Sequence, residues 1–390
     1  MRIFIITRGY PTDNYPGNGI FEYDQAKALT AAGHEVVYLA VDLRSLRRKR
    51  KWGFESLERD GISIEAINLP LGRVPKSLLQ TAGRQSLKRL YQRAITKFGV
   101  PDIVHSHFIS SGFLAMKVIG GQGIPLIHTE HYSGMHSSNL STAYWKLGEQ
   151  TYKAMDKVIA VSQSLAISIR ENFEVDVSVI PNIVDVDTFL QVEPKKLGSD
   201  NKVRFVSVGN LNPIKRMDLL IESFGEAFRD DKNVSLFIYG DGPERKKLTT
   251  LIDQLSMQNQ IHLMGYAKRE VIAQKMFKSD CFVLVSDSET FGVAYIEAMA
   301  AGLPVIATRC GGPEDFVDES NGILIEKNNT EEIAQALIYL RDNSQNYDRA
   351  SIASNIEPQY PPRVIGQSLV ELYSSLVSGN ADDDLGSTMP

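Results

Sequence analysis

Short apolar runs alternate along this chain with longer stretches in which apolar residues recur at helical spacing. "RIFIIT", "EVVYLAV", "DIVHSH", "PLIHT" and "KVIAVS" fall before residue 185; "VRFVSVG", "VSLFIYG", "IHLMG", "CFVLVS" and "LPVIAT" fall after residue 200. Strands separated in this way by helices predict parallel sheets covered on both faces, hence an α/β protein of two doubly wound domains. "PNIVDVDTFLQVEPKKLGSDNK" (Pro181 to Lys202) is polar and poor in strand signal. The domain boundary is placed inside it, giving a first domain over 1–185 and a second over 186–360. Prolines in "EPQYPP" break one element, after which Val364, Ile365, Leu369, Leu372, Tyr373 and Leu376 repeat helically. A closing helix is predicted over 361–378 and a disordered tail over 379–390.

Composition agrees with two cores of ordinary size: 390 residues, 43% hydrophobic and 23% charged, are those of a soluble globular chain. No apolar run approaches the roughly 20 residues that span a bilayer. Met1 is followed at once by "RIFIIT", without the basic, apolar and small-residue regions of a secretory signal, so a cytoplasmic location is expected. Cys281 and Cys310 have no metal-ligand spacing and read as small core residues.

Charge adds one asymmetry. The net charge is -5, yet "RSLRRKRK" (Arg44 to Lys51) is basic, and Leu71 to Lys97 carries Arg73, Lys76, Arg84, Lys88, Arg89, Arg93 and Lys97 with no acid. Leu87, Leu90, Tyr91, Ala94, Ile95 and Phe98 share one helical face, so this is a basic amphipathic helix. Two readings stand: reversible contact with an anionic membrane, or an ordinary helix whose apolar face covers the sheet. Nucleic acid is not expected, because the chain is acidic overall and lacks a recognition module.

In open parallel sheets ligands bind beyond the carboxyl ends of strands, so the loops after strands carry the candidate chemistry. "RGYPTDNYPGNGIFEY" after the first strand holds Gly17 and Gly19 ahead of a helix, either an anion cradle or a surface turn. It lacks the dinucleotide G-x-G-x-x-G spacing. "NLNPIKRMDLL" puts Lys215 and Arg216 near a helix start, where cations are unfavourable unless an anion binds. "SETFGVAYIEAMAAGLPVIA" places Glu289 and Glu297 eight positions apart around Phe291 and Gly292. Wholly helical, that separation would rise roughly 12 Å, enough to straddle a diphosphate with each carboxylate on a sugar's hydroxyls and the N–H groups of Phe291, Gly292 and Val293 on phosphate. The plainer reading makes Glu289 a helix cap and Glu297 a solvated first-turn acid. His105 and His107 are expected on opposite faces of their strand, with His107 at its carboxyl end lining the site. Asp185 and Asp187 resemble a metal-binding D-x-D but follow "PNIV" and read as hinge and cap.

The E-x7-E block with its Phe-Gly, "EAMAAGLPVIAT", "VGNLNPIK", "PNIVD", the early glycine loop and "HTEH", in this order, resemble the retaining glycosyltransferases of family 4, over the chain to about residue 377. The resemblance implies a GT-B fold: two Rossmann-like domains facing a central cleft, an N-terminal one for the acceptor, a C-terminal one for the donor, and a last helix crossing back. It implies transfer from a nucleotide-diphosphate sugar (UDP- or GDP-linked) to a glycan or lipid-linked acceptor, with no cofactor and no metal. Glu289 would contact the donor sugar, Glu297 the ribose and Lys215 the diphosphate. Gly17 and Gly19 would lie beside phosphate and sugar, His131 at the reacting face, and Tyr266 or Ala267 at the base. The family commonly has arginine and glycine where this chain has Asn210 and Arg216; Arg216 or Arg8 is expected to replace the missing cation. The leaving phosphate would help deprotonate the acceptor. Against this stand a nucleotide-sugar epimerase, which would turn over donor alone, and a non-catalytic sugar-binding protein, a class typically exported.

Overall fold

The computed structural model describes residues 1–43, 50–72, 74–136, 140–190 and 202–385. It separates into two compact units, Met1–Ile183 with Pro362–Pro390, and Val184–Pro361.

The first unit is built on β1 (Arg2–Thr7), β2 (Glu35–Asp42), β3 (Gly53–Arg59), β4 (Ile62–Asn68), β5 (Ile103–His107), β6 (Leu126–Glu130), β7 (Lys157–Ala160) and β8 (Val177–Val179). Its helices are α1 (Ile20–Ala31), α2 (Lys76–Phe98), α3 (Phe108–Ile119), α4 (Thr142–Tyr152), α5 (Gln163–Phe173) and, from the end of the chain, α12 (Pro362–Leu385). The sheet order is β3-β4-β2-β1-β5-β6-β7-β8, parallel except for the edge strand β3. The strands are apolar on both faces because both are covered. Ile3, Ile5, Tyr38, Ile103 and Ile127 pack with Leu29 of α1 and Leu369 and Tyr373 of α12; Phe4, Ile6, Val37, Val104 and Leu126 pack with Leu87 and Leu90 of α2 and Ile119 of α3.

That division decides two sequence expectations. The apolar face of α2 lies in the core, so only its basic side is open, and the covering-helix reading accounts for its amphipathicity. His105 and His107 stand on one face of β5, not on opposite faces, with ring centroids 4.3 Å apart. Residues two apart in a strand project to the same side; Ser106 projects to the other, where its hydroxyl meets His128 Nδ1 at 3.0 Å. α12 also runs to Leu385, past residue 378. Residues 386–390 of the tail, Arg44 to Lys49 of the basic run, Arg73, and 191–201 of the connection lie outside the described residues.

The second unit has β9 (Val203–Val208), β10 (Val234–Tyr239), β11 (Ile261–Gly265), β12 (Cys281–Leu284), β13 (Val305–Thr308) and β14 (Gly322–Ile325), all parallel in the order β11-β10-β9-β12-β13-β14. Around it are α6 (Met217–Phe228), α7 (Arg245–Gln254), α8 (Arg269–Phe277), α9 (Val293–Ala300), α10 (Thr330–Asn343) and α11 (Arg349–Ile356). Both cysteines are buried and free, and burial pushes the Cys310 thiol up to about 12.

In each unit the first strand has its successor on one side and a later strand on the other, so the strand order reverses beside it. Connections on the two sides of such a reversal diverge and leave a crevice at the carboxyl ends. The reversals lie between β1 and β5 and between β9 and β12, and the candidate residues gather there.

Candidate active site

In the second unit, the turn after β9 carries Lys215 and the loop after β12 carries Glu289. Lys215 Nζ lies 2.5 Å from Glu289 Oε1, which also accepts from Ser286 Oγ at 2.7 Å. Glu289 is 8% exposed, and its main chain is clamped on the loop after β13: its N–H donates to Cys310 O and its carbonyl accepts from Gly312. The carboxylate is therefore held by its pairing, and it is not a helix cap. The N-cap of α9 is Gly292, at φ 98°, with no side-chain cap. A Cβ there would stand 2.8 Å from the Tyr295 ring, so glycine serves both the left-handed turn and the close approach. Phe291 is buried, Gly292 and Val293 half-buried, and only the stretch from Val293 to Glu297 is helical, so the rise between the carboxylates is shorter than a full helix would give.

Arg216 caps α6 in the left-handed region, φ 47° and ψ 41°. Glycine, which the resemblance leads one to expect here, adopts that conformation readily; arginine is strained there by roughly 1 kcal/mol. Its guanidinium is held by Asp287 at 3.2 Å, Asp218 at 3.4 Å and Asn328. Arg216 thus stands beside Lys215, whereas Arg8 belongs to the first unit. Asn210 is exposed at the end of β9.

Glu297 is buried rather than solvated, and Arg269 at the start of α8 pairs with it at 3.0 Å. Burial raises its carboxyl to about 7, with Arg269 opposing and Asp185 adding to the rise. A carboxyl whose proton is held more tightly in the folded chain makes the fold lose stability as pH climbs from the ordinary value, 4.5, to about 7. Glu297→Gln is therefore expected to gain stability relative to wild type across that window, by up to about 3 kcal/mol. Thermal melts at closely spaced pH values check it; a difference independent of pH would refute the shifted carboxyl. Nearby, Tyr266 is 68% exposed and Ala267 half-buried. Asp185 accepts from Thr188 Oγ1 at 2.8 Å in the turn that contains Asp187, and among the described residues no group of three or more His, Cys, Asp or Glu could hold a metal ion.

In the first unit, Arg8 follows β1, His107 ends β5 and His131 follows β6. His107 Nδ1 and His131 Nε2 are 3.1 Å apart with stacked rings, and Phe21 and Phe108 flank the His131 ring at 6.0 and 5.0 Å. The Arg8 guanidinium lies 3.5 Å from the Phe108 ring centroid. Phe108 itself sits at φ 62°, a strained conformation for a bulky residue. Burial lowers the His131 imidazole to about 3, with Glu130 opposing, so the ring is neutral. Gly19 caps α1 at φ 71°, and a Cβ there would meet Gly9 O at 2.4 Å; Gly17 is exposed with open space around it.

Several residues here were not singled out from sequence. Glu130 is fully buried and accepts from the N–H groups of His131 and Tyr132 at 2.9 Å and from Tyr152 Oη at 2.7 Å, fixing the turn that carries His131. Burial opposes its ionisation, but His128 and these donors hold its carboxyl below the usual range. Its position inside "HTEH" at a strand end was the available signal. Arg269, Asp287 and Asn328 hold the expected site residues and carry no motif of their own.

Residues 19–188 match the model for Glycosyltransferase Family 4 and residues 191–356 that for Glycosyl transferases group 1. The chain belongs to glycosyltransferase family 4. Alpha-monoglucosyldiacylglycerol synthase of Acholeplasma laidlawii is 27% identical over 91% of this chain and 92% of its own. The phosphatidylinositol N-acetylglucosaminyltransferase GPI3 subunit of Saccharomyces cerevisiae is 26% identical over 73% of this chain, which spans 65% of that relative. Sucrose-phosphate synthase of Thermosynechococcus elongatus superposes with a TM-score of 0.80 at 18% identity, covering 97% of this chain and 99% of that one. Anabaena HepE in complex with UDP gives 0.75 at 20% identity, covering 96% and 100%. The fold is the GT-B type, with two Rossmann-like domains.

Proposed function

We propose that this family 4 chain is a retaining glycosyltransferase that moves a sugar from a UDP- or GDP-linked donor to a hydroxyl of a glycan or lipid-linked acceptor, in cell-surface polysaccharide or glycolipid synthesis. The observation that carries the reading is the Lys215–Glu289 pair at the β9/β12 reversal, beside the glycine-capped start of α9. A cation, backbone N–H groups and a helix N-terminus together suit a departing diphosphate, and the carboxylate suits sugar hydroxyls. Arg216, on the same turn as Lys215, is assigned as the second cation; with this much positive charge no metal ion or cofactor is invoked. Glu297, presented by α9 and steadied by Arg269, is assigned to the ribose, and Tyr266 and Ala267 to the base. On the first unit His131 is assigned to the reacting face, with His107 behind it, and Gly17 and Gly19 beside phosphate and sugar.

In the proposed step the bond from the anomeric carbon to the phosphate oxygen breaks, the bond to the acceptor oxygen forms on the same face, and the acceptor's proton passes to the leaving phosphate. No carboxylate serves as a covalent nucleophile. Two relatives whose names specify phosphatidylinositol and a glucosyldiacylglycerol support a lipid-linked acceptor. Thermal-shift screening identifies the donor, since ligand at 100 times its Kd stabilises by about 2.7 kcal/mol. Proton NMR of the product is then expected to show the donor's anomeric configuration, with turnover unchanged by a chelator. An inverted product overturns the retaining mechanism, and turnover of donor without acceptor would favour the epimerase.

Peripheral contact with the cytoplasmic membrane face is proposed on one further observation. Arg84, Lys88 and Arg89 are exposed along the middle of α2, with no ion pair among the described residues, and Leu78 in the first turn of that helix is 59% exposed. Each cation near an anionic leaflet contributes about 1 kcal/mol. No helix among the described residues is long and apolar enough to cross a membrane. Sedimentation with liposomes is expected to rise with anionic lipid, fall with salt, and drop when the three residues become glutamine; salt-independent or absent binding overturns it.

A further inference from the structure

The histidine that faces the proposed reaction is the outermost of three. On the α1/α12 face of the sheet, His131 Nε2 meets His107 Nδ1 at 3.1 Å, and the His107 ring lies against His105 with centroids 4.3 Å apart. His105 is held from two sides: Nε2 is 2.7 Å from Thr129 Oγ1, and Nδ1 is 2.6 Å from Tyr373 Oη. All of these side chains are buried, and burial lowers the three imidazoles, so the stack is neutral. Tyr373 stands on α12, contributed by the end of the chain after the whole second unit has been traversed.

We propose that Tyr373 is a positioning residue for the transfer reaction, acting through His105 and His107 on His131. The inference rests on the assignment of His131 to the reacting face. The phenol is fully buried and has no hydrogen-bond partner other than His105 among the described residues. It is a more acidic donor than the threonine hydroxyl, so it donates to His105 Nδ1 and leaves His105 with its proton on Nε2, given to Thr129. That fixes the tautomer and the tilt of the innermost ring. Against a ring so fixed, His107 has one packing position, and its Nδ1 then sets where His131 Nε2 stands. A neutral stack has no charge to pin it, which is why a directional bond at its base matters. The role falls to the last helix because that helix alone among the elements of this face comes from beyond residue 361. A first unit lacking α12 would lack the anchor as well as part of its core.

Tyr373→Phe removes one hydroxyl and keeps the ring in the core. Nitrogen NMR of the imidazoles, with each signal assigned by substitution, is expected to show His105 as the Nε2–H tautomer, with Nδ1 at the shift of a hydrogen-bonded acceptor in wild type and moved to that of an unbonded ring nitrogen in Tyr373→Phe. In the same variant kcat is expected to fall about tenfold, with donor KM and nucleoside diphosphate Kd changed less than about twofold. An altered His105 Nδ1 signal with unchanged kcat overturns the positioning role. An unchanged His105 spectrum overturns the hydrogen-bond assignment on which it stands. Full activity in His131→Phe would instead sink the role of His131, so the two failures are separable. Tyr373→Leu serves as the packing control: a loss of kcat no larger in Tyr373→Phe than its loss of folded fraction also overturns the proposal.

Discussion

Replacing Glu289 with alanine is expected to abolish sugar transfer, by at least about 100-fold in kcat, while free nucleoside diphosphate still binds within a few-fold of wild type. The reason lies in what Glu289 touches. Its carboxylate is saturated from one side by Lys215 and Ser286, and its remaining acceptor capacity suits the hydroxyls of the transferred sugar, which a free nucleoside diphosphate lacks. Removing it also removes the counter-charge that Lys215 holds, so the ammonium becomes more available to phosphate. Lys215→Ala works on the other partner. A charge-assisted contact of about 1.5–3 kcal/mol is lost, roughly 10- to 100-fold in affinity, and a carboxylate only 8% exposed is left without its cation. Diphosphate binding and transfer are then expected to fall together. Isothermal titration with the free diphosphate, set beside initial rates, separates the variants. Equal loss of diphosphate affinity in both would remove the division of labour between sugar and phosphate.

Strands with apolar residues on both faces were legible in the sequence because a parallel sheet covered by helices writes itself as a nearly uninterrupted apolar run; β1, β2, β12 and β13 are of that kind. The missed strands lack it. β3 is an edge strand whose residues alternate between half-buried and exposed, with charges at Glu55, Glu58 and Arg59, and β4 has its apolar residues interrupted by Ser63, Glu65 and Asn68. β8 and β14 are too short, three and four residues, to show a period. In the site, motif residues could be singled out because a loop between strand and helix holds few side chains, so Lys215 and Glu289 stood out. Their supports could not. Arg269 and Asn328 reach the site only because β11 and β14 bring distant stretches to the same end of the sheet, and sequence spacing carries no trace of that. The error over His105 and His107 was different in kind. The period of two was present in the sequence, and it places His105, His107 and Thr129 on one face once that face is followed through β5 and β6; Tyr373 reaches them only because α12 packs there, which no strand period records.

His131→Ala is expected to lower kcat by about 100-fold while donor affinity stays within a few-fold, since a group acting only on charge that develops in the transition state leaves ground-state binding alone. The neutrality of the ring gives the expectation its physical content. An imidazolium beside a sugar gaining oxocarbenium character would oppose it, and burial, which lowers His131 to about 3, prevents that charge from forming. The pH–rate profile should therefore show no ionisation from His131 between about pH 5 and 9. A structural role would give the same loss in the alanine variant by opening a hole between Phe21, Phe108 and His107. His131→Phe tells the two apart: it fills the aromatic sandwich and keeps the backbone N–H that Glu130 accepts at 2.9 Å, but has no ring nitrogen. If the imidazole acts on the reaction, the phenylalanine variant folds with a near-normal melting temperature and stays as slow as the alanine variant. If packing was the whole role, its turnover per folded molecule returns to wild type, and His131 leaves the list of groups that act on the sugar.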